Sequence, residues 1–311
     1  MIFDYKAKKI SLILLTISLI VCGYLVWHYR KMFVRILDIE VQYLIILSAL
    51  FALVQLVNGY KIFMIVQFFG SKMKTLDWVG LPYMTSYLNY LPGNAGSGIT
   101  AIFLKKKYNL PYTKFISVSG ALFVLYLFCF STACLVLMGI IWATKGYTNG
   151  YLAGIFALIM VSIVGLRFLP IDFIKGQSRA SIWFRSILRG FDDIRKNHIL
   201  VRALVANSYV QLLLLGMIIY FTFLALGFSV NYLDGLLLGI ITSISKFQYL
   251  IPGQLGIREV FIASAAKLIQ GSFGEGIVVA VTDRIVSGVI TIIFGNIFIL
   301  TTIKKIQSWK E

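Results

Sequence analysis

The stretch YLIPGQLGIRE, residues 249–259, decides how this chain folds. It carries a helix stop, Pro252-Gly253, then two adjacent charges, Arg258 and Glu259, with the apolar VFIASA directly beyond. Proline lacks an N–H and glycine frees the backbone, so a single helix does not run through residues 252–253. The segment from Leu233 to Ile269 is therefore expected as two short apolar pieces. The same punctuation occurs earlier, where NYLPGNAGSG (89–98) matches QYLIPGQLGI (248–257). Each has an amide residue, Tyr, Leu, Pro-Gly, a second amide residue, a spacer and Gly; the later copy adds one Ile before Pro. The chain has only 5 prolines, so two of them in matched contexts point to a repeat rather than to ordinary turns.

Outside these breaks the chain is strongly apolar. Of 311 residues, 59% are hydrophobic and only 13% are charged, against about 25% charged in soluble domains. Mean hydropathy is +0.88, and several apolar runs exceed the ~18 residues that mark a spanning helix. The expected class is an all-α polytopic membrane protein, a single integral membrane domain over residues 1–311. Doubly wound and barrel folds are excluded. The net charge of +17 could indicate nucleic acid, but the basic residues sit in short loops between apolar runs. There they set orientation and meet anionic headgroups, so membrane lipids are the expected partners and no nucleic acid is expected. Cys22, Cys129 and Cys134 lie in apolar runs and offer no disulfide framework. His28 and His198 have no ligand pattern around them. No metal and no cofactor is expected.

Six full spans are expected at about 9–28, 41–63, 115–143, 150–169, 203–227 and 276–303. The first is read as a retained helix, because its apolar region is too long for a signal peptide. The broken segments, about 78–104 and 233–269, have halves too short to cross, and read as re-entrant helical hairpins. With the N-terminus inside, roughly three quarters of the lysines and arginines fall on the inner side. Lys61, Lys72 and Lys74 are assigned to one inner loop, and Lys105, Lys106, Lys107 and Lys114 to the next. The Arg30, Lys31 and Arg35 cluster is the exception on the outer side. Both termini are expected in the cytoplasm of a prokaryotic cell.

The halves at about 41–143 and 203–303 then have opposite topology, forming an inverted repeat of the kind that places two broken helices near the membrane midplane. A basic amphipathic loop, about 171–202, joins them. Its Ile182, Phe184, Ile187, Leu188 and Phe191 approximate one helical face, with Arg185, Arg189, Arg195 and Lys196 nearby. This suits an interfacial segment.

A broken helix exposes N–H groups and the positive end of its dipole, which suits a phosphate. Candidate substrate-binding residues are Pro92, Gly93, Asn94 and Gly96 at the first break, and Pro252, Gly253, Gln254, Gly256, Arg258 and Glu259 at the second. Arg258 offers a planar donor for phosphodiester oxygens. Glu259 could pair with Arg258, hold a cationic headgroup or carry a coupling proton. Asp283 and Arg284 form a second charged pair inside the last span; with Glu259 they are candidates for gating or coupling. The alternative is that both pairs form a structural network holding the second hairpin. Gln55, Asn58, Asn207, Gln211 and Asn296 could line the same cavity, or make ordinary helix-packing contacts. No nucleophile–base arrangement or nucleotide loop is present, so an enzyme is not expected.

IPGQLGIREVF resembles the "PGGxGxRE" signature of the flippase-like transmembrane family related to the membrane portion of lysylphosphatidylglycerol synthases. LPGNAGSGITAIFLKKKYNLPYTKFISV resembles that family's first-half stretch, and TDRIVSGVITIIFG its later helix. Three positions depart from the pattern. Ser97 follows Gly96 where the family has Glu, the expected Arg falls near Thr100, and Gln254 stands where Gly is usual. The resemblance implies movement of a lipid between leaflets, with Arg258 and Glu259 carrying the charged chemistry. In larger family members a separate soluble domain performs aminoacyl transfer, and no segment here is large enough for one. The expected function is a lipid translocase. Its substrate would be an anionic or aminoacylated phospholipid, or a polyprenyl-phosphate-linked lipid. Alternatives are a non-transporting membrane partner of a glycosyltransferase or lipid-modifying enzyme, docked through residues 171–202, or a phosphatidylglycerol lysyltransferase-related protein lacking the catalytic domain. A homo-oligomer is a further option.

Overall fold

The computed structural model describes residues 23–25, 27–90, 95–146, 148–166, 190–191, 194–244, 256–269 and 271–307. Among them all regular structure is helical. After short helical turns at Arg30–Phe33 and Val34–Ile36 come α1 (Val41–Phe68), α2 (Thr75–Leu88), α3 (Ala95–Tyr108), α4 (Tyr112–Lys145) and α5 (Gly150–Leu166). Then follow α6 (His198–Ala225), α7 (Tyr232–Ser243), α8 (Ile257–Leu268) and α9 (Phe273–Gln307). Helices α1, α4 and α6, together with Phe273–Thr301 of α9, are long and apolar enough to cross a membrane. The chain is an integral membrane protein. Most of the expected first span, 9–28, lies outside the described residues.

Helix α5 has 17 residues, about 25 Å of rise, which is short of the ~30 Å hydrocarbon thickness. Its expected end, 167–169, falls outside the described residues. The broken segments resolve into helices that are shorter still. α2 and α3 have 14 residues each, and α7 and α8 have 12 each. At about 1.5 Å per residue, none of the four reaches across a bilayer.

Helix starts follow capping chemistry. α6 begins at His198 rather than near 203, because the Asn197 side chain accepts the Leu200 N–H at 3.0 Å. α9 begins at Phe273 rather than 276. Ser272 Oγ accepts the Glu275 N–H, and Glu275 accepts the Ser272 N–H, both at 3.1 Å, a reciprocal capping box. Residues 198–202, expected in the connecting loop, are therefore helical. The described end of that loop also packs inward. Ile194 is buried with Met64, Ile65, Val118, Ala121, Leu200 and Leu204, and Phe191 lies against this cluster. Ile182, Phe184, Ile187 and Leu188 lie outside the described residues.

The chain divides into two compact units: Met1–Leu56, Val79–Gly98 and Leu214–Glu311, and Val57–Trp78 with Ile99–Leu213. In the first, Leu47, Val54, Leu215 and Ile218 form a core, and close approaches rest on small residues. A Cβ at Gly239 of α7 would lie 2.5 Å from the Gly216 Cα of α6. A Cβ at Gly276 of α9 would lie 2.5 Å from the Ala263 Cα of α8, and one at Gly295 would lie 2.7 Å from the Tyr87 Cβ of α2. Small residues let helices approach where lipid supplies no hydrophobic drive between them. Helix α7 is buried at every residue from Asp234 to Ser243. Arg35 donates to the carbonyls of Leu226 and Gly227 at 3.1 and 3.3 Å, and its guanidinium lies 4.7 Å from the centre of the Phe228 ring. One cation of the Arg30, Lys31 and Arg35 cluster is thus tied to the carbonyls past the end of α6, a contact that satisfies groups the helix leaves open.

In the second unit, the start of α2 meets the end of α3. Buried Asp77 pairs with Lys107 at 2.5 Å and accepts the Tyr108 hydroxyl hydrogen bond. The two helices therefore fold back as a hairpin. Tyr108 is further held by the Lys74 N–H at 3.2 Å and by Ser71 Oγ donating to its carbonyl at 2.9 Å.

Candidate functional site

The charged residues expected at the second break come together between α8 and α9, inside the first unit. Helix α8 starts directly after Gly256, whose φ of +81° is a conformation side-chain-bearing residues rarely adopt. The Gly256 N–H donates to Glu259 Oε2 at 2.8 Å. This satisfies one of the N–H groups a helix start leaves open and places the carboxylate at the positive end of the dipole. The other carboxylate oxygen, Glu259 Oε1, meets Arg284 Nε at 2.6 Å. Arg258 pairs with Asp283.

The four groups form two crossed pairs. Along α8 the order is Arg then Glu, and along the facing α9 it is Asp then Arg, so each charge meets its opposite. The Gly276–Ala263 approach holds the two backbones close, and Glu259 and Asp283 are 3% and 6% exposed. Burial of this degree demands pairing, since an unpaired charge at such depth is costly. The cluster has no net charge. Arg258 Nε is nonetheless buried with no hydrogen-bond partner among the described residues.

The first hairpin reaches the same helix. A Cβ at Gly288, one turn beyond Arg284, would lie 3.8 Å from Tyr90 Oη. Gly96 packs α3 onto the end of α2, because a Cβ there would fall 2.1 Å from the Thr85 carbonyl oxygen and 2.5 Å from Asn89 Oδ1. Asn89 Oδ1 is itself buried with no hydrogen-bond partner among the described residues.

Of the sequence-derived site residues, Arg258, Glu259, Asp283 and Arg284 are brought together and Gly256 caps their helix. Gly96 serves the approach of α3 to α2. Pro92, Gly93, Asn94, Pro252, Gly253 and Gln254 lie outside the described residues. The pairing differs from one sequence-based option, since Glu259 takes Arg284 rather than its neighbour Arg258. Adjacent helical residues point about 100° apart, so a facing helix serves them better than they serve each other.

Other intramembrane polar residues make helix contacts. Gln55 donates to Ser86 Oγ at 3.1 Å, Asn207 to the Val57 carbonyl at 3.0 Å, and Asn296 to Ile292 of its own helix at 2.8 Å. Gln211 accepts from Lys61 at 2.7 Å. Lys61 was expected in an inner loop. It lies inside α1, which continues to Phe68. The apolar IFMIV after Lys61 was the available signal that the helix continues past it.

A family model described as the lysylphosphatidylglycerol synthase TM region matches residues 11–295. No curated protein and no solved structure matches the chain significantly.

Proposed function

Since the chain belongs to the lysylphosphatidylglycerol synthase transmembrane-region family, we propose that it is a lipid translocase. It moves a phosphate-bearing lipid between leaflets: an anionic or aminoacylated phospholipid, or a polyprenyl-phosphate-linked lipid. Helices α2–α3 and α7–α8 act as re-entrant hairpins of an inverted repeat, in a prokaryotic cell membrane with both termini cytoplasmic. The lipid phosphate binds at the hairpin breaks and on Arg258. Glu259, Asp283 and Arg284 gate or couple the movement.

One observation carries this reading: two ion pairs, with no net charge between them, are buried beside a broken helix within an apolar chain. Intramembrane ionisable groups are expensive and mark pathways, and broken helices line cavities rather than lipid. A phosphate arriving at Arg258 competes with Asp283 for the same guanidinium. Binding thereby loosens one pair, and departure restores it, which is what a gate requires. Arg258 Nε, which has no hydrogen-bond partner among the described residues, gives the phosphate a first contact before that exchange.

The test is a leaflet-resolved assay in proteoliposomes that follows a labelled phospholipid, wild type against Arg258→Lys. Lysine keeps the charge but loses the planar fork. Slower movement by the variant supports the reading, and equal rates sink the role assigned to Arg258.

A further inference from the structure

We propose that Lys61, with Gln211 and Asn207, forms a second anion-binding site, one that takes the phosphate of a lipid headgroup inside the Val57–Trp78 and Ile99–Leu213 unit. The choice of a lipid phosphate rests on the translocase reading; the site itself does not.

Lys61 lies within α1, not at its end. Its ammonium donates to Gln211 Oε1 at 2.7 Å and lies 6.0 Å from the centre of the Tyr126 ring. Gln211 stands halfway along α6, and Tyr126 near the middle of α4. The ammonium is thus held among the middles of spanning helices rather than drawn out to a headgroup layer. Both contacts are electrically neutral. Among the described residues no carboxylate pairs with Lys61, whereas Lys107, Arg258 and Arg284 each have one. A cation at membrane depth with only neutral neighbours is a functional feature by default.

A second polar contact between the same helices completes the site. Asn207, one turn before Gln211 on α6, donates its Nδ2 hydrogen to the carbonyl of Val57, one turn before Lys61 on α1, at 3.0 Å. Residues four apart share a helix face, so Val57 and Lys61 on α1 face Asn207 and Gln211 on α6. Asn207 is 8% exposed, and its Oδ1 has no hydrogen-bond partner among the described residues. The facing helices therefore present a cation and an acceptor that has no partner among the described residues. The matching ligand carries a negative oxygen beside a hydroxyl donor. A phosphate esterified to a hydroxyl-bearing headgroup has this pattern. Lys61 is only partly buried, and lysine binds phosphate as a point charge.

The full chain is reconstituted in phosphatidylcholine nanodiscs containing a minor fraction of phosphatidylglycerol or phosphatidic acid, and the retained lipid is read by native mass spectrometry. Lys61→Met is expected to lower retention of both anionic lipids about tenfold, with Lys61→Arg staying near wild type. Asn207→Ala is expected to lower retention of phosphatidylglycerol, which offers hydroxyls, more than that of phosphatidic acid, and this variant carries the test if Lys61→Met fails to fold. Displacement of lipid by millimolar inorganic phosphate assigns the site to the free anion, and no displacement assigns it to the headgroup. Unchanged retention in Lys61→Met, or equal losses of both lipids in Asn207→Ala, overturns the proposal. A wild type that retains lipid at Lys61 without moving it between leaflets overturns the translocase reading alone.

Discussion

Glu259 is held by Arg284 at 2.6 Å across the α8–α9 interface, while its chain neighbour Arg258 turns to Asp283. The same carboxylate accepts the Gly256 N–H at 2.8 Å. One side chain therefore joins the end of the break, the start of α8 and the last spanning helix. Moving any one of these disturbs the other two, which couples the break to α9 without a long pathway.

The two duties of Glu259 can be separated. Glutamine still accepts the Gly256 N–H through its side-chain oxygen, but it removes the charge opposite Arg284. Glu259→Gln is expected to keep α8 capped yet to lose stability, whereas Glu259→Ala loses both contacts and is the less stable. Thermal unfolding in detergent ranks them. If the two variants match, the cap contributes nothing measurable.

The Arg258–Asp283 pair invites a charge exchange. Arg258→Ala or Asp283→Ala leaves one buried charge uncompensated and is expected to cost about 3–5 kcal/mol. The reversed pair, Arg258→Asp with Asp283→Arg, should recover much of that stability, because the partners still meet. Lipid movement should not recover, since the phosphate donor has moved to the other helix. Recovery of movement along with stability assigns the pair a purely structural role.

Packing gives a prediction independent of charge. Gly239 leaves no room for a side chain against Gly216. Gly239→Leu should force α7 away from α6 and cost about 1–3 kcal/mol. Gly150, with nothing within 4 Å of its Cβ position, is the control: Gly150→Leu should be close to neutral in the same unfolding measurement.

Much of this was legible from residues alone. Pro-Gly punctuation in an apolar chain gives short helices around 91–94 and 251–255, and Arg258, Glu259, Asp283 and Arg284 stand out because charges are rare there. The pairing was not legible, because it depends on which faces α8 and α9 turn to each other. That is set by the contact at Gly276 and Ala263, two residues with no chemistry to draw notice. Lys61 was misread for another reason. A lysine near the end of an apolar run looks like a loop residue, until the continuing IFMIV is weighed as further helix. Asn197, Ser272 and Glu275 fixed helix starts that hydrophobicity placed several residues late, since apolar windows are blind to caps.

At the open end of the first hairpin, Asp77 answers both Lys107 and Tyr108. Asp77→Ala strands a lysine and a buried hydroxyl together, and is expected to cost about 3–5 kcal/mol. Asp77→Asn should cost less, because the amide oxygen still accepts the Tyr108 hydrogen bond and only the ion pair is lost. The loss should show locally as well as globally. The segment 69–74, tied to Tyr108 through Ser71 and the Lys74 N–H, should become the first site of proteolytic cleavage in Asp77→Ala and stay protected in Asp77→Asn. Equal cleavage in both variants would mean that the ion pair alone, rather than the tyrosine, closes the hairpin.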